Sequence, residues 1–265
     1  MSVTPATEVV LYDVQDGVAV LTLNRPERLN AWVPDMQVRY FDLLEQAAAD
    51  PDVRVIVVTG AGRGFCAGAD MEVLQGGDAS EDARGDERPQ TYPMTIPKPV
   101  IAAVNGPAAG LGLVMALMCD LRFAAAGAKL TTAFARRGLI AEHGISWVLP
   151  RLVGSAHALD LLFSGRVVLA EEAAGMGLVN AVHPAESLLD ETLAYARELA
   201  TWSSPTSMAV MKKQVYEHLE QAAAPALAES NQLMAESFTR PDFGEGVSSF
   251  VEGREPRFEG VTGRP

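Results

Sequence analysis

The sequence predicts an α/β fold in which strands alternate with helices and then give way, toward the C-terminus, to helices alone. Three observations carry this. Two short runs, the β-branched Val53–Thr59 and the apolar Val100–Val104, are of the kind buried in a parallel sheet. Each leads into a turn rich in Gly and Ala and then into a helix-like run; the turns are Phe65-Cys66-Ala67-Gly68-Ala69-Asp70 and Asn105-Gly106-Pro107-Ala108-Ala109-Gly110-Leu111-Gly112. From about Ser187 onward only helical periodicity remains.

Taken in order, Val9–Tyr12 and Val18–Leu23 read as strands of a hairpin turning at Gln15-Asp16-Gly17. Pro34–Ala49 reads as a helix, with proline tolerated in its first turn and Met36, Tyr40, Leu43, Leu44 and Ala47 on one face; Asp50-Pro51-Asp52 ends it. The stretch Glu72–Pro97, with Gly76-Gly77, mixed charges and three prolines, reads as a mobile surface segment and a candidate lid. Ala109–Cys119 is expected to be helical, Leu121–Ala125 a strand and Lys129–Thr131 a weaker one. Ser187–Ala200, Ser204–His218, Pro225–Ser237 and Phe243–Gly253 follow as helices. This divides the chain into a core, residues 1–186, and an appended helical segment, residues 187–265, of the kind that docks on a neighbouring subunit.

Composition limits the partners. The 265 residues carry a net charge of −13, so phosphate repulsion argues against nucleic acid, while a small phosphate-bearing ligand stays possible where basic residues gather. Cys66 and Cys119 have neither the number nor the spacing of a disulfide framework or a metal site. The opening residues Met1–Glu8 lack a basic stretch followed by an apolar one, and no later run is long enough to span a bilayer. A cytoplasmic protein bound to no membrane is expected.

A strand that enters a helix through small residues leaves backbone N–H groups bare, and two such ends facing one another can hold a carbonyl oxygen as it becomes an oxyanion. Other motifs are weaker. Gly60-Ala61-Gly62-Arg63-Gly64-Phe65 lacks the last glycine of a dinucleotide loop, no lysine follows a glycine cluster in the Walker pattern, and no serine sits in a nucleophile elbow. His157, His183 and His218 are isolated. His143 follows Glu142 inside the mostly apolar Gly138–Ile145, where a charged pair needs a reason.

Asn24-Arg25-Pro26 with Asn30-Ala31, the Phe65–Asp70 turn, Lys98–Gly106, Met118-Cys119-Asp120, Gly177-Leu178-Val179 and Phe250-Val251-Glu252 together resemble the enoyl-CoA hydratase/isomerase, or crotonase, superfamily almost end to end. The resemblance implies a spiral of ββα units, a C-terminal helical trimerisation region, and a homotrimer or dimer of trimers. It implies acyl-CoA thioester substrates, with coenzyme A part of the substrate and no separate cofactor or metal. The thioester oxygen would be held by the N–H groups of Ala67 and Leu111. Arg28 and Leu29 would lie near the pantetheine and adenine, Ala67 and Gly68 along the CoA site, and Ala69 and Asp70 at the adenine pocket. Phe250 would approach a neighbouring subunit's nucleotide, and Arg254 would replace the family's phosphate-binding lysine, which is Gly253 here. Arg28 and Arg254 could equally be solvated surface charges.

The two glutamates of the family's hydratases fall at Val114 and Phe134, neither of which transfers protons. Glu142 falls where the superfamily's ring-epoxide and dienoyl-CoA isomerases place a catalytic aspartate. One carboxylate suits an isomerase: it removes a proton made acidic by the thioester and returns it two carbons along. Burial among Ile140, Ile145 and Trp147 is expected to raise its pKa. His143 orients it, shuttles the proton, or points outward. Double-bond isomerisation is therefore favoured. The alternatives are a hydratase using Glu142 in place of the usual pair, a C–C bond hydrolase, and a non-catalytic acyl-CoA-binding protein.

Overall fold

The computed structural model describes residues 9–75 and 86–262. The chain opens with strands β1 (Val10–Gln15) and β2 (Val18–Leu23), paired antiparallel through a two-residue turn in which Asp16 and Gly17 both have positive φ. Such a turn matches the twist of the flanking strands, which is why β1 extends to Gln15, beyond the expected Tyr12. Helix α1 (Pro34–Ala49) buries Met36, Tyr40, Leu43, Leu44 and Ala47, the face its periodicity marks, and with them Gln37 and Phe41. Strand β3 (Val55–Gly60) is buried along its whole length and begins two residues later than the apolar run. Short helix α2 (Met71–Gln75) follows.

Strands β4 (Val100–Val104), β5 (Ala108–Ala109), helix α3 (Leu111–Leu117), strands β6 (Leu121–Ala125) and β7 (Lys129–Thr131), and helix α4 (Ile145–Ser164) form two successive ββα units. Strand β8 (Val168–Leu169), helix α5 (Ala170–Gly175) and strand β9 (Ala181–His183) complete the alternation. The larger sheet has the order β1-β2-β3-β4-β6-β9, parallel from β2 onward, with Val20, Val57 and Ile101 in register across three strands. The smaller one is β5-β7-β8. The chain thus crosses between two sheets as it advances, which brings the end of β3 and the end of β4 side by side.

Helices α6 (Leu188–Trp202), α7 (Pro205–His218), α8 (Ala223–Ser237) and α9 (Pro241–Glu252) follow. Ser204 caps α7 by accepting from the Ser207 N–H at 3.0 Å. Helix α7 is fastened to the core by Lys212, whose Nζ donates to the Asp120 carboxylate at 2.7 Å and to the carbonyls of Pro93 and Lys98. Arg54 ties the chain's end to β3, donating to the carbonyls of Ala200 and Phe258.

Two expectations need correction. The helix expected over Ala109–Cys119 covers only Leu111–Leu117, because Ala108 and Ala109 pair with β7 and Gly110 takes a positive φ before the helix begins. Residues 76–85 of the expected mobile segment, and Met1–Glu8, lie outside the described residues. Residues 86–97 are packed rather than mobile: Gln90 and Ile96 are buried, and the Tyr92 ring meets Phe41 edge-on at 5.6 Å. Helices α4 and α5 and strands β5, β8 and β9 were not anticipated.

Candidate active site

The two Gly/Ala turns are held by two asparagines, one buried and one half-buried, and by backbone bonds. Asn30, fully buried, donates to the carbonyls of Ala61 and Gly64 at 3.0 and 2.8 Å, and Asn105 donates to those of Gly60 and Gly62. Cys66 forms a parallel bridge with Ala108, its N–H donating to the Pro107 carbonyl and its carbonyl accepting from the Ala109 N–H at 3.0 Å. The approach is close enough to demand glycine. A Cβ on Gly112 would lie 2.1 Å from the Cys66 oxygen, and one on Gly68 (φ +96°) would lie 2.7 Å from the Ala109 oxygen.

One expected donor is overturned. The Ala67 N–H already donates to the Leu29 carbonyl at 3.0 Å, so it cannot also receive a ligand oxygen. Beyond it the chain is extended and pairs with Trp32, whose N–H donates to the Gly68 carbonyl while the Asp70 N–H donates to the Trp32 carbonyl. Successive N–H groups of extended chain point to opposite sides, so the Ala69 N–H faces away from Trp32. Leu111 begins α3 and has no intrahelical acceptor. Neither N–H has a partner among the described residues.

Both turns border a cleft of about 260 Å³. Ala67, Gly68, Ala69, Asp70, Gly110 and Leu111 of the turns line it together with Phe134, Arg137, Glu142, His143 and Arg28. The Glu142 and His143 side chains meet at 3.2 Å, Oε2 to Nε2, with His143 only 13% exposed and Glu142 30% exposed. The burial expected around Glu142 is not supplied by Ile140, which is 79% exposed, because the residues before α4 form a turn that swings that side chain outward. Ile145 is buried; Trp147 is half-buried, its Nε1–H donating to Glu220.

Val114 is sealed in α3 and Phe134 borders the cleft, so neither position supplies a carboxylate. Among the described lining residues the carboxylates are Asp70 and Glu142. Asp70 is already engaged: Arg25 donates to it at 3.0 Å and it accepts from the Glu72 N–H. Burial pushes its carboxyl up, but that N–H and the Arg25 guanidinium together outweigh burial and hold it below its ordinary value. Glu142 is the carboxylate set beside an imidazole.

The other sequence-derived residues are dispersed. Arg28 pairs with Glu72 at 3.0 Å where both are exposed. Leu29 takes a left-handed conformation and its side chain lies beside Gly64 instead of lining the cleft. Phe250 projects from α9, 87% exposed, and Arg254 just beyond it is gripped by Glu245 at 2.6 and 3.1 Å and by Glu252 at 2.6 Å; neither borders this cleft. Arg137 was missed. Its only sequence signal is the Arg136-Arg137 pair before Gly138, and in the cleft it reaches the Ala133 carbonyl at 3.4 Å. Among the described residues no group of three His, Cys, Asp or Glu is placed to hold a metal ion, and no helix is long and apolar enough to cross a membrane.

Comparison with known proteins agrees with this architecture. The enoyl-CoA hydratase/isomerase family profile matches residues 13–261. The chain is 38% identical over 261 residues to a 1,2-epoxyphenylacetyl-CoA isomerase of Escherichia coli K12, covering 96% of this chain and 99% of that one. Among solved structures it resembles a probable enoyl-CoA hydratase/isomerase from Mycobacterium abscessus, with 32% identity, TM-score 0.88, and 95% and 98% of the two chains covered. It also resembles the enoyl-CoA hydratase EchA12_1 from Mycobacterium marinum, with 52% identity, TM-score 0.71, and 81% and 100% covered. With the crotonase fold and a match over nearly its whole length, the chain belongs to the enoyl-CoA hydratase/isomerase family of enzymes.

Proposed function

We propose that the chain acts on an acyl-CoA thioester through an enolate, with Glu142 as the single proton carrier and double-bond isomerisation as the favoured outcome. The carrying observation is that Glu142, beside His143, stands in the same cleft as the two open N–H groups, while Val114 and Phe134 occupy the positions where a hydratase pair would stand. The N–H groups of Ala69 and Leu111 receive the thioester oxygen. As negative charge grows there, each donor stabilises the transition state by about 3 kcal/mol. Glu142 removes the acidified C2 proton of a 3-enoyl thioester and delivers it to C4 of the dienolate, and the His143 Nε2–H holds the carboxylate in place between the two transfers.

Coenzyme A lies along Arg28, Gly68 and Ala69 in this reading, with Phe250 directed at a neighbouring subunit. The exposed apolar side chains Met211, Val215, Leu227, Phe250 and Val251 of α7–α9 support a homotrimer or dimer of trimers, which sedimentation of the intact protein tests. A second reading, supported by the relatives named hydratases, has Glu142 activate water for addition to a 2-enoyl thioester. A Glu142→Gln variant separates the readings. Isomerisation requires that solvent deuterium exchange into a 3-enoyl-CoA fall by about 10²–10⁴-fold while acyl-CoA binding persists. Exchange untouched by the substitution rules out Glu142 as the base, and Glu142-dependent water addition without exchange selects the hydratase. A wild-type protein that binds but turns over no thioester is a binding protein only.

A further inference from the structure

Glu142 and His143 face two spaces. Besides the cleft they border, with Gly144, a second chamber of about 650 Å³, larger than the cleft itself. Gln37 from α1 and the run Asp86, Glu87, Arg88, Gln90 and Thr91 supply most of the remaining wall. An acyl group anchored by its thioester oxygen at Ala69 and Leu111 and running past Glu142 has this chamber ahead of it.

The wall is polar, and its polar groups are set in advance. Gln37 Oε1 accepts from Gln90 Nε2 at 2.7 Å and from Trp32 Nε1 at 3.3 Å, and all three side chains are buried. An indole nitrogen can only donate, so the Gln37 amide orientation is fixed and its NH₂ end is left for the chamber, with no protein acceptor among the described residues. Arg88 is immobilised by Asp86, Asp42 and Glu45 and lies against the Phe41 and Tyr92 rings, so its charge is already balanced. Glu87, which is exposed, and half-buried Thr91 also border the chamber, and no side-chain hydrogen bond among the described residues engages the Glu87 carboxylate or the Thr91 hydroxyl. The chamber therefore offers a donor, an acceptor and a group that is both. A hydroxyl answers all three, whereas a methyl terminus would displace water from them and return nothing.

We propose that this chamber receives the far end of the acyl group and that the preferred substrates are acyl-CoA thioesters bearing a hydroxyl there. This deepens the acyl-CoA reading of the cleft and rests on it. The test uses saturated thioesters, so binding is read without chemistry: hexanoyl-, octanoyl- and decanoyl-CoA against their ω-hydroxy counterparts, by calorimetry on the intact protein. At the length that reaches the chamber the hydroxy form is expected to bind about tenfold more tightly, the effect of one or two net hydrogen bonds. In a Glu87→Leu/Thr91→Val double variant that ratio is expected to fall toward one. Equal affinities at every length, or a ratio that survives in the double variant, overturns the proposal. A preserved preference without deuterium exchange would instead overturn only the isomerase reading, and failure to bind any acyl-CoA would overturn both.

Discussion

Gly68→Ala probes the contact on which the pair of open N–H groups depends. Alanine at φ +96° pays the left-handed backbone penalty of about 1–2 kcal/mol. Its Cβ would also stand 2.7 Å from the Ala109 oxygen, and Ala109 cannot simply retreat, because it is bonded to Cys66 on one side and paired with Thr131 on the other. Forcing such an overpacked contact costs about 1–3 kcal/mol more. The total of about 2–5 kcal/mol corresponds to a fall in melting temperature of about 5–15 °C for a chain of this size. Relief comes by moving the Ala109–Leu111 backbone away from Ala69, which misaims one donor; kcat for deuterium exchange should drop about ten- to hundredfold, with KM changing less. Gly127→Ala is the control, since Gly127 also has positive φ (+72°) but nothing within 4 Å of the new Cβ. Thermal unfolding by circular dichroism and exchange into a 3-enoyl-CoA are measured on both. The reasoning fails if Gly68→Ala melts no lower than Gly127→Ala, or exchanges at the wild-type rate.

Asp70→Asn should lower stability by about 1–3 kcal/mol at neutral pH, because a buried carboxylate bonded to Arg25 is lost. The folded carboxyl is held below its ordinary value, so its contribution is complete above the unfolded pKa near 4 and disappears as pH falls through the folded value; melting curves of the two proteins should run apart at neutral pH and converge as pH falls below about 4, and a constant gap would refute the assignment. Burial pushes the thiols of Cys66 and Cys119 up to about 12, so neither should react with a water-soluble maleimide at pH 8 until the protein is denatured, as mass spectrometry will read. His143→Asn keeps a residue tolerant of the left-handed conformation and removes the imidazole, so melting should change little while the exchange rate falls and its pH profile shifts. An unaltered profile would reduce His143 to a turn residue.

What the sequence disclosed, and what it hid, follows from the range of the forces involved. Helix α1 was legible because its period is unbroken and Pro34 and Asp50-Pro51 mark its ends; β4 was legible because a buried parallel strand is apolar throughout, and β6 because Arg122 alone interrupts its apolar run. Helix α4 was not, because Pro150 lies within it and Gly154 interrupts it with non-helical dihedrals, so no single period runs its length. The Glu142-His143 pair stood out as charge in an apolar segment. The choice between Ala67 and Ala69 could not be read, since it depends on which edge of an extended segment pairs with Trp32, a contact between elements distant in sequence. The second chamber was hidden for the same reason: Gln37 and Thr91 meet only in the folded chain.

The Glu142–His143 contact itself requires an unusual backbone. Neighbouring residues in a helix point about 100° apart and do not face each other, and in a strand they point to opposite sides. Here His143 (φ +56°) and Gly144 (φ +81°) are successive left-handed residues, and the turn closes with the Ile145 N–H donating to the Glu142 carbonyl. A histidine in that conformation costs about 1 kcal/mol relative to glycine, so packing alone would favour glycine at this position. What the strained turn yields is a carboxylate and an imidazole 3.2 Å apart, facing the cleft on one side and the chamber on the other. Strain of this kind persists where the surrounding structure imposes it, and it gathers at sites of function. The buried Ile145 anchors the start of α4, and Gly144 lies so near Thr91 that a Cβ there would come within 3.0 Å of the Thr91 methyl. The same three residues therefore fix where the proton carrier stands and where the acyl group's path continues, so a shift in this turn must alter proton transfer and substrate selection together.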